Sequence, residues 1–354
     1  MNFGAYSVHP SGSERNPTFV KRFDGPLLQY QSNYLFGLAF TGGKSQGYTG
    51  NVLESATVGI EGPGIERCHI NRGAGDGLHI DGVFHFNIRD SRITRNDGWG
   101  IGTSSSTNNE ISHLTIDAST RIAGNGSGGV SFDDPKSHDN WIRANIEANS
   151  GPGVSVRGTK GRLYLEGKIN DNDHSGVYIN TGTTVDIIEI SGMVMDNNKN
   201  PPAGRLGEIK IDGSGTEFNP LNLRSAFFDA PNGLSDDIIS VMNKDSVAIN
   251  VFGCYPRLVG VSNFLRGAGT NNTFLNAFGT KGILASSVFD ASGIKYSDRG
   301  RKIEDFNTGA RVYLGNRESV PHPANGSGDV YADTSTNPPT WKCDDPTDSA
   351  WETM

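Results

Sequence analysis

The chain has 354 residues, of which 34% are hydrophobic, 9% aromatic and 47 glycine, and a formal net charge of −8. That acidic balance, with no run of Lys and Arg along the chain, argues against a nucleic-acid partner, because a phosphate-binding surface needs clustered cations. No apolar stretch approaches a membrane span, 1–10 (MNFGAYSVHP) lacks the basic start and apolar core of a signal peptide, and Cys68, Cys254 and Cys343 lie too far apart to imply a disulfide framework.

Residues 1–50 alternate apolar clusters such as Phe19, Val20 and Phe23 with Gly and Ser turns, and read as irregular N-terminal coils or a cap. From 51 to 215 one pattern recurs. An aliphatic residue is followed three positions later by Asn, as in Ile93/Asn96, Ile146/Asn149, Ile169/Asn172 and Val194/Asn197. A short alternating segment comes next: 77–81 (GLHID), 100–104 (GIGTS), 129–133 (GVSFD), 153–157 (GVSVR), 176–180 (GVYIN) and 208–212 (EIKID). These start 23, 29, 24, 23 and 32 residues apart. The spacing is too irregular for a strict leucine-rich or propeller repeat and natural for coils carrying loop insertions.

One such coil cannot bury its own apolar face, but coils stacked roughly 4.8 Å apart build a continuous core. The pattern therefore predicts an all-β parallel solenoid. Asn and Gly tolerate left-handed backbone, so both are expected to shape its corners, with Asn side chains bonded from coil to coil. From 216 to 305 the period weakens; 246–252 (SVAINVF) reads as a strand and one short helix is expected over 235–243. The last stretch, 306–354, places 311–315 (RVYLG), 329–332 (DVYA), Trp341 and Trp351 among Pro, Asp and Thr, and reads as a small β cap or oligomerisation segment. A solenoid's final coil exposes an unpaired edge, so a cap or a partner subunit must cover it.

Alternation also selects a candidate site. In the six short segments the first and third residues after the leading position are apolar and face inward, except Thr103, so the second and fourth face outward. Stacking aligns these into two columns. One reads His79, Gly102, Ser131, Ser155, Tyr178, Lys210; the other reads Asp81, Ser104, Asp133, Arg157, Asn180, Asp212. Such a flat polar strip suits a long polar polymer. Asp133 and Arg157 are expected to pair, and Asp81, Asp133 and Arg157 are the candidate catalytic residues. His79, Ser131, Tyr178, Asn180, Lys210 and Asp212 are the candidate substrate contacts. Two carboxylates two coils apart, roughly 9–10 Å, approach the separation used by inverting glycosidases. At 170–174 (NDNDH) the oxygens offer a possible Ca²⁺ site, though Asn and Asp there are already explained by the turn.

The coil 138–156 (HDNWIRANIEANSGPGVSV) resembles the right-handed parallel β-helix superfamily of pectate lyases, polygalacturonases and phage tailspikes. The segment 326–342 is similar to the Gly/Asp-rich terminal segments of phage tail proteins. The resemblance implies a right-handed helix and a carbohydrate-active protein, extracellular or on a virion tail, and a homotrimer where it is a tailspike. A narrower likeness joins 131–135 (SFDDP) to the Asp-Pro-His signature of alginate C5-epimerases, with Lys136 standing where that family has its His. Two classes are thus expected to compete. One is a polysaccharide depolymerase, either a hydrolase using Asp81 and Asp133 or a lyase using Arg157 or Lys210 as base, with epimerisation of acidic glycans a further option. The other is a non-catalytic receptor-binding fibre.

Overall fold

A computed structural model describes residues 6–10, 17–30, 34–55, 60–62, 64–103, 111–133, 137–157, 159–180, 185–200, 207–212, 218–229, 235, 237–242 and 246–257, and the strands between 263 and 353. Three parallel sheets run along the molecule. Each regular coil between 64 and 257 contributes one strand to each. In a representative coil Arg92–Thr94 lies in sheet 1, Trp99–Thr103 in sheet 2 and Thr115–Ile116 in sheet 3, before Arg121–Ala123 returns to sheet 1. Among the described residues sheets 1 and 2 each have 11 strands and sheet 3 has 16. A fourth, three-stranded sheet (Ile60–Glu61, Val83–Phe84, Ile111–Ser112) fills the connection from sheet 2 to sheet 3 on three successive coils.

Inward positions repeat from coil to coil. Ile70, Ile93, Ile122, Ile146, Ile169 and Val194 are in register in sheet 1, and Val130, Val154, Val177 and Ile209 in sheet 2, with none above 2% exposed. Each such side chain contributes about 1.5–3 kcal/mol by leaving water. The stacked rows make one continuous core, which no single coil could form.

The corner between sheets 1 and 2 is built on an Asn ladder. Asn96 Nδ2 donates to Asn125 Oδ1, Asn125 to Asn149, Asn149 to Asn172 and Asn172 to Asn197, at 2.8–2.9 Å. The backbone N–H of each Asn from Asn96 to Asn172 donates to the same oxygen on the next coil. Asn125 is a member that the Ile122/Asn125 spacing shows and the four pairs above omit. The left-handed residue of this corner is not the Asn. It is the residue before it: Arg72 before Gly73, then Arg95, Gly124, Ala148, Asp171 and Asp196, with φ between 53° and 67°. The leading glycines of sheet 2 are likewise needed for space. A Cβ on Gly77, Gly153 or Gly176 would collide with the Asn amide and the branched methyl of the adjacent coil.

The ladder ends at Glu208, which stands in register with the leading glycines of earlier coils. Its carboxylate accepts from Asn197 N–H at 3.2 Å and from Asn197 Nδ2 at 2.6 Å, replacing the missing next Asn. Ser235 Oγ donates at 2.7 Å to Oε1, the oxygen that also accepts the Asn197 N–H. The expected helix over 235–243 is instead the strand Asp237–Val241, whose Ile239 pairs with Ile209 in sheet 2. All five of its residues are buried, and a strand buried on both faces has no alternation by which to tell it from a helix.

Both ends close with antiparallel pairs. Tyr6–Pro10 turns back on Pro17–Lys21, and Ile294–Asp298, Lys302–Asp305 and Ala310–Gly315 form a meander beyond the last coil. Val330–Asp333, Thr340–Asp344 and Trp351–Thr353 extend this small β cap. Among the described residues no helix is long and apolar enough to cross a membrane.

Candidate functional site

The outward columns of sheet 2 are in register as alternation predicts. His79 pairs with Gly102, Ser131 with Ser155, Ser155 with Tyr178, Tyr178 with Lys210 and Asn180 with Asp212. The first column continues past both ends, to Glu54 beside His79 and to Ser240 beside Lys210. Ser104 lies outside the described residues. The middle of the strip is closed, contrary to the expectation that every second residue meets solvent: Ser131 and Ser155 are each 1% exposed and Gly102 is buried. Short side chains on strands roughly 4.8 Å apart sit below longer neighbours. Ser131 and Ser155 therefore form a floor between two open ends.

At the first end, His79 Nδ1 lies 2.8 Å from Asp76 Oδ2, and Trp99 N–H donates to Asp76 Oδ1 at 2.7 Å. The Asp76 carboxylate occupies a niche that stacking creates. A Cβ on Gly98 or Gly102, one coil on, would collide with it. The hydrogen bond to Asp76 raises the His79 pKa above its ordinary value against the opposing effect of burial, with Asp76, Glu54 and Asp81 adding their charges. This end thus holds an oriented imidazole among three carboxylates. Asp76 was not among the sequence candidates, although it lies in 73–77 (GAGDG), a segment whose glycines are explained by close coil contact. Asp81 backbone N–H donates to Ser55 Oγ on the preceding coil, which fixes the strand end that carries its carboxylate.

At the second end, Arg157 Nε lies 3.5 Å from Asp133 Oδ1, the expected pair, with the Arg side chain more than half exposed. Thr103, the polar exception among inward residues, accepts from Asp133 N–H at 2.9 Å and so anchors that turn. Lys210 Nζ sits 5.6 Å from the Tyr178 ring centre and 3.7 Å from Asp212 Oδ2, and Asn180 Nδ2 donates to the Tyr178 hydroxyl at 3.1 Å. Partial burial raises the Tyr178 pKa, keeping its hydroxyl protonated. The structure gathers Arg157, Tyr178, Asn180, Lys210 and Asp212 on neighbouring coils. It sets Asp81 apart from them, across the closed floor.

Other sequence candidates are accounted for by the fold. In 170–174, Asn172 belongs to the ladder, Asp171 pairs with Lys199 at 2.6 Å, and Asp173 accepts from Asn200 at 2.9 Å. Those oxygens are committed to coil contacts. Among the described residues no group of three or more His, Cys, Asp or Glu side chains is arranged to hold a metal ion. Residues 134–136 of the Asp-Asp-Pro turn lie outside the described residues, and His138 Nδ1 is 3.5 Å from Asp139.

Sheet 3 and the corner that leads into it carry a feature that sequence reasoning missed. His85, His113, Trp141 and Tyr164 stack in a row, with Trp141 and Tyr164 at 5.1 Å and 6°. Rings stacked on each other along the axis have their faces occupied and offer edges to solvent. The row therefore braces coils as the Asn ladder does and is a poor platform for a sugar ring.

Residues 51–217 match the family described as right handed beta helix region. No curated protein sequence matches the chain. Solved structures that are similar include the A-module of mannuronan C-5 epimerase AlgE4 from Azotobacter vinelandii, at TM-score 0.48 and 14% identity, covering 71% of this chain and 81% of that one. The tailspike gp61 of Pseudomonas phage phi297 gives 0.37 and 13%, covering 75% and 49%, and pectate lyase Pel9A gives 0.27 and 12%, covering 79% and 71%. With its three parallel sheets, its Asn corner and the match over 51–217, the chain has the fold of a right-handed parallel β-helix.

Proposed function

We propose that the chain binds a polysaccharide along the outer face of sheet 2 and cleaves it by proton transfer at the His79 end. The Asp76–His79 pair supports this reading most directly. A histidine whose Nδ1 is held by a carboxylate has its tautomer and ring orientation set, which leaves Nε2 to exchange a proton with substrate. Its raised pKa keeps the ring protonated closer to neutrality, as a general acid toward a glycosidic oxygen requires. Asp81 lies two residues along the same face, roughly 6.6 Å away at Cα. Inverting hydrolysis needs a base with room for a water between it and the acid, and Asp81 is the carboxylate on this face to which we assign that role. In this mechanism His79 protonates the leaving oxygen while Asp81 takes a proton from the attacking water.

Arg157, Tyr178, Asn180, Lys210 and Asp212 then hold the polymer farther along the strip through hydroxyl and carboxylate contacts, with Asp133 positioning Arg157. In this reading the protein acts outside the cell or on a virion tail, as a homotrimer. A second reading, a non-catalytic receptor-binding fibre, draws on the pairing of Asp133 with Arg157 and of Lys210 with Asp212, since paired charges are also what a solvated face presents. Incubation with a panel of bacterial surface and acidic polysaccharides separates these. New reducing ends without ultraviolet absorbance mean hydrolysis. Ends with absorbance from an unsaturated uronate mean elimination, and binding with neither signal means a fibre.

A further inference from the structure

The outer face of sheet 1 and its corner gather Arg72, Arg92, Arg95 and Arg121 from three successive coils. Arg92 pairs in register with His69 on one side and Arg121 on the other, so their side chains leave adjacent strands from one column. Arg72 and Arg95 occupy the left-handed corner position of successive coils, beside that column. All four arginines are exposed, and they line one groove of about 530 Å³ with Thr94 and Asn71 on its floor. Arg121 is held by Glu147 at 2.5 Å. Arg72 and Arg95 make no ion pair among the described residues. In a chain with a net charge of −8, this groove is a local cationic stripe.

Left-handed backbone costs an ordinary side chain roughly 1–2 kcal/mol, and the equivalent positions farther along hold Gly124, Ala148, Asp171 and Asp196. Packing therefore sets no demand for arginine there. Neighbouring coils carry these arginines on backbones roughly 4.8 Å apart, a spacing close to the length of one sugar ring. Guanidinium forks recognise carboxylates through two parallel hydrogen bonds, a planar geometry that lysine cannot supply.

We propose that this groove is a separate binding site for a linear anionic polysaccharide carrying a carboxylate on successive sugars, gripped by Arg72 and Arg95. The site lies on a different sheet from His79 and holds its ligand whether or not sheet 2 performs chemistry. Its role is to anchor an acidic polymer against the side of the helix.

The test is calorimetric titration of the full chain with oligogalacturonate, with neutral malto-oligosaccharide of equal length, and with single-stranded DNA, at low salt and at about 0.5 M salt. Oligogalacturonate should bind, weaken with salt and exceed both controls. In the double variant R72Q/R95Q its affinity should fall roughly tenfold or more, as loss of charge-assisted bonds requires, with unchanged circular dichroism. Arg95→Lys should recover only part of the loss. Equal binding of the neutral oligosaccharide, tighter binding of DNA, or unchanged affinity in the folded double variant would each overturn the assignment. If oligogalacturonate binding fails while the polysaccharide panel still yields reducing ends, the groove is wrong and the sheet 2 reaction stands.

Discussion

The Asn corner and the outer face of sheet 2 belong to the same coils and differ in almost every respect. At the corner one residue type recurs on five successive coils, and the amide oxygens of Asn125, Asn149, Asn172 and Asn197 each accept twice from the coil before. It is buried throughout, with Asn96, Asn125, Asn149, Asn172 and Asn197 at 1% exposure or less. On the outer face only Ser131 and Ser155 repeat in sequence along the column, and they are the buried floor. Stacking dictates what lies between coils and leaves what points away from them free to vary. Repetition thus marks architecture here, and departures from it mark candidate chemistry.

Breaking the repeated side should have the largest effect. Asn149→Ala leaves Asn125 N–H and Nδ2 without their acceptor and removes the bonds from Asn149 Nδ2 to Asn172 and to the Ile122 carbonyl. Each orphaned buried group costs about 1–3 kcal/mol, so the expected loss is about 3–5 kcal/mol in denaturant unfolding. A variant that unfolds with wild type would show that the ladder is passive.

Glu208 tests the place where the repeat stops. Burial raises its pKa from 4.5 to about 7, against the hydrogen bonds from Ser235 and Asn197. The native state therefore binds this proton more tightly than the unfolded chain does. Its stabilising contribution is complete below the unfolded value near 4.5 and is lost as pH rises toward 7. The melting temperature should fall across that window by an amount of order 3 kcal/mol in stability. Glu208→Gln should flatten the profile, and parallel profiles for the two proteins would refute the assignment.

On the variable side, Gly102→Ala places a methyl against Asp76 Oδ2 and should displace that carboxylate from His79. The His79 pKa, followed by nuclear magnetic resonance, should drop toward the ordinary histidine value, since the Asp76 bond is the main reason it is raised. An unmoved titration would mean that Asp76 does not orient the ring. The smallest effect on stability is expected at Asp133→Asn. Its pair with a mostly exposed Arg157 should contribute well under ~1 kcal/mol. Turnover should persist with a raised KM, because Asp133 positions a binding residue; loss of turnover would instead return Asp133 to the proton-transfer role that the carboxylate spacing first suggested.

The inward rows, the Asn column and the sheet 2 register were legible because each is periodic, and period is what coil stacking imposes on a sequence. Asn125 follows the same rule and was readable from its spacing to Ile122. Asp76 was not, because its niche is made by Gly98 and Gly102 on the following coil, and no local pattern in 73–77 refers to them. The closed floor at Ser131 and Ser155 was hidden for a related reason: alternation gives direction and says nothing about the height of neighbouring side chains. The arginine groove escaped notice because a scan for charge runs reads along the chain, whereas Arg92 and Arg121 meet across it. The strand Asp237–Val241 passed for a helix because it is buried on both faces.

The most direct test of the sheet 2 reaction is reducing-end release across the polysaccharide panel by wild type and by His79→Gln, with both proteins shown to melt alike. The account predicts that wild type cleaves at least one polysaccharide and that His79→Gln slows this cleavage by roughly a hundredfold or more while binding persists. Equal rates in the two proteins, or no cleavage of any polysaccharide by wild type, would contradict it.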